Sequence, residues 1–216
     1  MNTSSNTYPP PWDLEGEGFI FPFWVNKKKV FDWMNEQERK DFVGGLGAII
    51  LVNYKSSNVG PYYELLFIPG DFKHRGENYK KITKIYVSSQ LSLQEGRKNW
   101  AIPKELAEFE WKNEGDLTFV KAWNQAGDLS VKISKYFISF PVSTAFLPFT
   151  LLQNLDGLLL KTKFIGKGMG KLSSVEVWST QGNFFPNLNE VAKLRLPSIQ
   201  VSPFSLVFPT PIKVPI

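Results

Sequence analysis

The fold and the function of this chain are decided by residues 91–106, which read LSLQEGRKNWAIPKEL. An alternating, strand-like run at residues 82–88 precedes this stretch, and a second such run at residues 106–111 follows it. Gly96 adds a flexible backbone point beside an arginine, and Pro103 fixes the backbone immediately before a lysine. The stretch is therefore predicted to connect two strands and to constrain the backbone that carries this lysine.

The lysine, Lys104, has apolar neighbours in the sequence, namely Trp100, Ile102, Leu106 and Phe109. Burial in an apolar wall disfavours the ammonium form, so that neutral amine becomes available near neutral pH. Neutral amine is the form that attacks a ketone to make a Schiff base. A second interpretation is a lysine whose stem packs against the wall while its charged head reaches solvent.

The composition indicates one globular domain. A chain of 216 residues is long enough for a substantial core. Hydrophobic residues make up 43% and aromatic residues 15%, which argues against disorder. The 18 Phe and 7 Trp predict that large side chains fill a β-rich interior. We predict a flexible, polar and Pro-rich tail at residues 1–10 and a single domain at residues 11–216.

Charge and cysteine usage exclude several classes of partner. The net charge of +5 is modest, and the run at residues 27–29 is interpreted as a solvated turn, so no nucleic-acid partner is predicted. Residues 1–8 lack the basic and apolar regions of a signal peptide. The longest apolar stretch, residues 48–52, is too short to span a bilayer. With no cysteine the chain has no disulfide, and we predict a soluble, cytoplasmic protein without a membrane partner.

Alternating apolar runs separated by turn residues predict an antiparallel, mainly β fold with a few short helices. The predicted strands are residues 18–25, 47–54, 61–69, 82–88, 106–111, 117–123, 129–140, 173–178 and 198–208. Helical spacing of Phe31, Met34 and Phe42 predicts one amphipathic helix, and residues 188–194 predict a helical turn. The glycine-rich residues 166–171 are predicted to be a flexible hairpin turn, because Leu172 stands where a phosphate loop has Ser or Thr.

The pattern Gly96-Arg97, five residues, Pro103-Lys104 and a following leucine resembles the signature of the acetoacetate decarboxylase family. Residues 60–66, which read GPYYELL, resemble the aromatic-glutamate strand of that family, and residues 171–208 resemble it more loosely. The resemblance implies an antiparallel β-barrel-like fold. It also implies that Lys104 is the Schiff-base lysine. The expected function is therefore that of a lyase acting on a keto acid or a related small carbonyl compound.

The remaining site residues are placed around this lysine. On a strand, Tyr62 and Glu64 share one face, and a glutamate in an enclosed apolar pocket is a candidate for proton transfer. Alternatively, Glu64 faces solvent or pairs with Arg97. We predict substrate contacts from Tyr62, Arg97, Trp100 and Ile102, with a structural role for Arg97 as the first alternative.

Cofactors and assembly follow from the same pattern. Schiff-base chemistry needs no metal or organic cofactor, and one histidine without cysteine predicts no zinc site. The family resemblance also implies a homo-oligomer.

Three departures from the family pattern bear on the substrate. Glu105 follows Lys104 where decarboxylases of this family have a second lysine, although adjacent strand side chains point oppositely and Glu105 is then outside the pocket. Residues 1–26 contain no Arg or Lys, and residues 47–54 contain no acid. A carboxylate without a cation binds poorly in an apolar cavity, which favours a larger and more apolar substrate than acetoacetate. Two alternatives stay open: a non-catalytic barrel that binds an apolar ligand, and aldolase or dehydratase chemistry through the same lysine.

Overall fold

The computed structural model describes residues 7–144, 149–155 and 157–215. Its strands are β1 (Trp12–Val25), β2 (Phe42–Gly44), β3 (Leu46–Ser56), β4 (Tyr62–Ile68), β5 (Asp71–His74), β6 (Glu77–Lys80), β7 (Lys84–Val87), β8 (Lys104–Leu106), β9 (Glu108–Glu114), β10 (Leu117–Asn124), β11 (Gly127–Ser143), β12 (Leu151–Leu155), β13 (Leu158–Thr162), β14 (Ile165–Gly182), β15 (Ala192–Arg195), β16 (Ser198–Phe208) and β17 (Ile212–Val214). Its helices are α1 (Lys27–Val30), α2 (Glu36–Asp41), α3 (Gln90–Trp100) and α4 (Leu188–Val191).

The main sheet has the strand order β8-β7-β4-β3-β1-β16-β14-β11-β10-β9, with β15 also paired to β1. Neighbours in this sheet are antiparallel except for β7 and β8, which run parallel. The sheet curls into a nearly closed, barrel-like form. A smaller sheet has the order β17-β13-β12-β6-β5-β2. The prediction of a mainly β, barrel-like fold with short helices is confirmed.

The central strand β1 separates two interiors, because successive side chains point to opposite faces of a sheet. Phe19, Phe21 and Phe23 are buried in a core that also includes side chains of β10 and β11. Leu14 and Ile20, on the opposite face, line a cavity. The sheet therefore has one face filled by aromatic packing and one face that leaves space for a ligand.

The hairpin of β3 and β4 puts the predicted aromatic-glutamate strand into this arrangement. Val52 of β3 is paired with Glu64 of β4. Tyr62 and Glu64 line the cavity, whereas Leu65 packs in the aromatic core on the other face. The predicted distribution of these side chains between the two faces is confirmed.

The predicted helix with Phe31, Met34 and Phe42 on one face is broken in the structure. A 3-10 turn at Phe31–Trp33 follows α1, and α2 begins separately after Asn35. Asn35 forms a capping box, in which its side chain accepts from the backbone N–H of Glu38 while the carboxylate of Glu38 accepts from the backbone N–H of Asn35. The capping box starts a separate helix at a position where the prediction had a single continuous helix. Phe42 belongs to strand β2 and not to a helix.

The glycine-rich residues 166–171 are not a turn but lie within the long strand β14. A methyl group at Gly168 would lie 2.6 Å from the carbonyl oxygen of Pro203, and one at Gly170 would lie 2.8 Å from the ring of Phe140. These glycines therefore allow close approach of neighbouring strands and side chains, which is a use of glycine inside a strand.

The segment before β1 is tied to the domain. The carbonyl oxygen of Tyr8 accepts hydrogen bonds from the indole of Trp12 and from the side-chain amide of Asn99, at 2.9 and 2.8 Å. Residues 1–6 of the predicted tail lie outside the described residues, and the single-domain organisation stays a prediction. Within the described ranges, no helix combines the length and hydropathy that a membrane span requires.

Candidate active site

The lysine that the sequence singles out follows a helix, which the sequence analysis did not predict. Helix α3 begins after Ser89, whose hydroxyl oxygen accepts from the backbone N–H of Ser92 at 3.2 Å. It ends at Ala101, which has a left-handed backbone with φ of 57°. The chain then passes Pro103 and enters β8 at Lys104. The prediction of a flexible point at Gly96 is wrong, because this glycine lies inside α3.

Gly96 provides space for the lysine side chain. A methyl group at this position would lie 2.8 Å from both Cδ and Cε of Lys104, well inside the ordinary carbon–carbon contact of about 3.5–4.0 Å. The side chain of Lys104 therefore crosses the surface of α3 at the one position where the helix has no Cβ in its way.

The amine of Lys104 forms a buried ion pair. Its Nζ lies 2.9 Å from Oε2 of Glu64 and 2.9 Å from the hydroxyl of Ser92. Lys104 is 4% exposed and Glu64 5% exposed. The ring of Tyr62 lies beneath the amine, at 5.2 Å from Nζ to the ring centre. Carboxylate, hydroxyl and aromatic face thus hold one amine at the wall of the cavity.

The second oxygen of Glu64, Oε1, accepts a hydrogen bond from the hydroxyl of Tyr54 at 3.2 Å. Burial, with the negative charge of Glu64 as the next cause, raises the pKa of Tyr54 well above 10. The same two causes raise the pKa of Tyr62 well above 10, against a smaller lowering by its hydrogen bond with Ser92. Both phenols are therefore neutral donors at neutral pH, and Tyr54 fixes the orientation of the carboxylate.

The cavity has a volume of about 250 Å³. Its lining is mostly apolar, with aliphatic and aromatic contributions from Trp12, Leu14, Ile20, Ile50, Val52, Leu66, Ile68, Ile82, Ile85, Trp100, Ile102, Leu151, Phe164, Phe204, Leu206 and Phe208. Lys104 and Glu64 lie in this wall. The site is thus a buried ion pair in the wall of a mostly apolar cavity.

Lys167 also borders the cavity, but unlike Lys104 and Glu64 it is exposed. On β14 the side chains of Ile165, Lys167 and Met169 are exposed, whereas Gly166 between them lines the cavity. Among the described charged residues that line the cavity, Lys104 and Glu64 are the two that are buried.

A protein-family model described as acetoacetate decarboxylase (ADC) matches residues 2–128. The chain belongs to the acetoacetate decarboxylase family. The matched segment carries Glu64, Ser92 and Lys104, whereas the strands β14 and β16 that complete the cavity wall lie beyond it. The family resemblance stated on the sequence is confirmed.

Solved structures of similar proteins share the fold. An acetoacetate decarboxylase from Legionella pneumophila is 17% identical with a TM-score of 0.69, over 97% of this chain and 89% of its own. An acetoacetate decarboxylase-like enzyme from Sphingomonas wittichii RW1 is 8% identical with a TM-score of 0.69, over 100% and 97%. The enduracididine biosynthesis enzyme MppR, complexed with pyruvate, is 12% identical with a TM-score of 0.67, over 98% and 93%. No curated protein sequence matches the chain.

The predicted substrate-contacting residues divide into two groups. Tyr62, Trp100 and Ile102 line the cavity. Arg97 is exposed and, in the described part of the chain, is not a lining residue. Its Nε donates to the main-chain carbonyl of Lys104 at 2.7 Å. The structure thus corrects the predicted substrate contact of Arg97 and supports the alternative, because this guanidinium holds the start of β8 against α3.

Glu105 lies outside the cavity, as the alternation along β8 predicts. Its carboxylate pairs with Nζ of Lys84 at 2.7 Å, and this amine lies 4.7 Å from the ring centre of Tyr86. Burial lowers the pKa of Lys84, but the hydrogen bonds with Glu105 and Tyr86 outweigh it and raise the pKa above its ordinary value of 10.5. The acid after the lysine is therefore paired locally with Lys84, outside the cavity.

Two residues of the site were missed on the sequence. Ser92 precedes Gly96 by four residues, so that both lie on the same face of α3, but this signal requires that the helix itself be predicted. Tyr54 is paired with Tyr62, two positions from the pairing of Val52 with Glu64, and is a diagonal cross-strand neighbour of the carboxylate. Its contact follows from strand register. In the described ranges, no three His, Asp or Glu side chains lie close enough together to hold a metal ion.

Proposed function

We propose that this protein is a lyase that binds a carbonyl substrate covalently, as an imine on Lys104, and that Glu64 transfers the protons. The observation that carries the proposal is the buried contact of 2.9 Å between Nζ of Lys104 and Oε2 of Glu64 in the wall of an apolar cavity. Membership of the acetoacetate decarboxylase family supports it.

The contact supports the first chemical step. Glu64 accepts a proton from the Lys104 ammonium through their hydrogen bond, and this frees the nitrogen lone pair for attack on the carbonyl carbon. The resulting carbinolamine receives the proton back from Glu64 on its hydroxyl group, and water leaves. The products are a protonated imine and an ionised Glu64, so that the pair keeps its net charge of zero.

The protonated imine then serves as an electron sink. A bond to the carbon next to the imine carbon breaks, its electron pair moves into the imine to give an enamine, and a proton returns to that carbon. Hydrolysis of the imine releases the product and restores Lys104. Loss of carbon dioxide from a keto acid and cleavage of an aldol both follow this course. The fold accommodates ligands of the second kind, since one MppR structure holds the condensation product of pyruvate and imidazole 4-carboxaldehyde.

Imine trapping tests the proposal. The protein is incubated with a panel of ketones and keto acids, reduced with borohydride, and digested for mass spectrometry. Lys80 provides a matched control in the same molecule, because it is buried and paired with Asp71 at 2.8 Å but does not line the cavity. We expect an adduct on Lys104 and none on Lys80. Absence of adduct across the panel would overturn the proposal. Carbon dioxide release separates decarboxylation from aldol chemistry.

A second candidate function is non-catalytic binding of an apolar ligand. It is favoured by the apolar lining and by the fact that the Lys104 ammonium already has both Glu64 and Ser92 as partners. Substitution K104M distinguishes the two functions. A binding protein keeps its affinity for an apolar ligand in K104M, whereas a Schiff-base lyase loses all turnover.

Self-association and a cytoplasmic location stay predictions. The exposed side chains of Tyr136, Phe137 and Ile138 on β11 support self-association, since exposed apolar patches mark interaction surfaces. Light scattering coupled to size-exclusion chromatography measures the oligomeric state directly.

A further inference from the structure

We propose that the natural substrate of this site is a neutral, apolar carbonyl compound of about ten carbons rather than a short keto acid. This inference rests on the proposed imine chemistry of Lys104 and deepens it by naming the substrate class. The reaction left to such a substrate is cleavage or formation of a carbon–carbon bond of the aldol type.

The charge balance of the Lys104–Glu64 pair disfavours binding of a substrate that carries a carboxylate next to its carbonyl group. Lys104 and Glu64 already form a neutral pair, and the imine keeps that balance because the nitrogen stays positive while Glu64 stays ionised. A carboxylate beside the imine carbon would add a negative charge within the reach of Glu64. The effective cost of burying an unpaired ion is several kcal/mol, which corresponds to at least about a hundredfold in binding.

Among the described residues that line the cavity, no buried cation other than Lys104 is present to offset that charge. Lys167 borders the cavity but is exposed to solvent, and Arg97 binds the backbone of β8. Tyr54 and Tyr62 are neutral phenols, and the hydroxyl of Tyr54 already donates to Glu64. The residues outside the described ranges contain no Lys, Arg or His, so that they add no cationic side chain either.

The volume of the cavity limits the size of the substrate. A dry apolar cavity of about 150 Å³ binds benzene, which has six carbons. By proportion, the cavity of about 250 Å³ holds about ten carbons, and its lining is apolar along its length. By the same proportion acetoacetate, with its seven non-hydrogen atoms, would leave about a third of this volume without contacts.

The aldol step balances with the groups present. The β-hydroxy ketone forms an imine with Lys104 and releases water. Glu64 takes the hydroxyl proton, the bond between the α and β carbons breaks, and its electron pair enters the imine to give an enamine and an aldehyde. Glu64 returns the proton to the α carbon, and water hydrolyses the imine. The step involves no oxidant or reductant.

A matched pair of probes tests the charge requirement. Methyl 3-oxodecanoate and 3-oxodecanoate have nearly the same shape and differ in charge. Borohydride trapping on Lys104 is measured against probe concentration, with 2-decanone as a third, neutral probe. We expect both neutral probes to reach half-maximal adduct at a concentration at least about a hundredfold lower than the acid. Equal or better trapping of the acid would overturn this inference while leaving the proposed imine chemistry intact. No adduct with any probe would overturn both.

A series of ketones of increasing chain length tests whether the apolar cavity binds the substrate chain. From 2-butanone to 2-decanone, we expect about fourfold stronger trapping for each added methylene until the cavity is full. Substitution I50F fills part of the lining and should weaken trapping of 2-decanone while sparing 2-butanone. Trapping of 2-butanone also verifies that the variant is folded. A flat series, or equal loss of both ketones in I50F at an unchanged melting temperature, would contradict the proposed occupant.

Discussion

Substitution G96A is the sharpest perturbation of this site, because it adds one methyl group beside Lys104 and removes no polar group. The added carbon would lie 2.8 Å from Cδ and Cε of the lysine, whereas carbon atoms pack at about 3.5–4.0 Å. The side chain must therefore shift by about 1 Å. Such a shift takes Nζ out of hydrogen-bond range of at least one of its partners, Glu64 and Ser92, from the present 2.9 Å.

The effect on stability is small by comparison. Replacing glycine by alanine inside a helix stabilises it by up to about 1 kcal/mol, and overpacking a tight site costs about 1–3 kcal/mol. The net change in the free energy of unfolding is therefore between about zero and 2 kcal/mol of destabilisation. Misplacing a reacting group by about 1 Å lowers the rate about a hundredfold. We expect G96A to fold and to lose about two orders of magnitude in the rate of imine trapping.

The assay combines thermal unfolding with the rate of borohydride-trapped adduct formation on Lys104. Substitution Q94A is the matched control, because Gln94 is exposed on the same helix. It also introduces an alanine, but away from the lysine. A folded G96A protein that forms adduct within about twofold of the wild-type rate would refute the reasoning. It would show that the position of the amine does not depend on the missing Cβ.

Three further outcomes follow from the same contacts. K104M leaves the Glu64 carboxylate buried without its cation, and we expect a loss of about 3–5 kcal/mol in the free energy of unfolding by urea. The double variant K104M/E64L should recover most of this loss. A K104M protein as stable as wild type would contradict a tight buried pair. Because the pKa of Tyr54 is raised above its unfolded value of 10, the folded state retains a proton that the unfolded state loses. The free energy of unfolding should therefore fall as pH rises above about 10. Y54F should make this fall with pH less steep, and an unchanged pH dependence would argue against a neutral phenol at position 54. E105Q removes a half-exposed ion pair with Lys84, so we expect at most about 1 kcal/mol of destabilisation and unchanged imine trapping. The stabilisation by the Lys84 ammonium is present below pH 10.5 and is lost as pH rises through the raised pKa of Lys84 in the folded state. Altered imine trapping in E105Q would place Glu105 in the site.

The buried pair has a cost as well as a use. A pair of 4% and 5% exposed ions is not by itself a stabilising feature, because desolvation offsets most of the mutual attraction. The same low exposure keeps the proton shared by Lys104 and Glu64 away from water. The pair is therefore better explained by the imine chemistry that we propose than by a contribution to the stability of the fold.

The strands and the two charged residues of the site were determined by the sequence. Period-two alternation predicted β4 and the face shared by Tyr62 and Glu64, since a side chain on a strand has only two faces to choose from. The spacing of Gly96, Pro103 and Lys104 indicated the family, and the family model agrees. These features are local or carried by a short motif, and no knowledge of long-range contacts is needed to recognise them.

Tertiary structure decided what surrounds the lysine. The contacts of Lys104 with Glu64 and Ser92 join residues 40 and 12 positions away in the chain, and such distances are closed by sheet register and helix packing together. Local signals also misled at Gly96, where a glycine that looked like a flexible point is a helical residue without a Cβ. They misled again at residues 166–171, where glycines that looked like a turn admit neighbouring strands. In both places the glycine leaves room for a side chain or strand that packs against it, and such a contact is fixed only when the chain is folded.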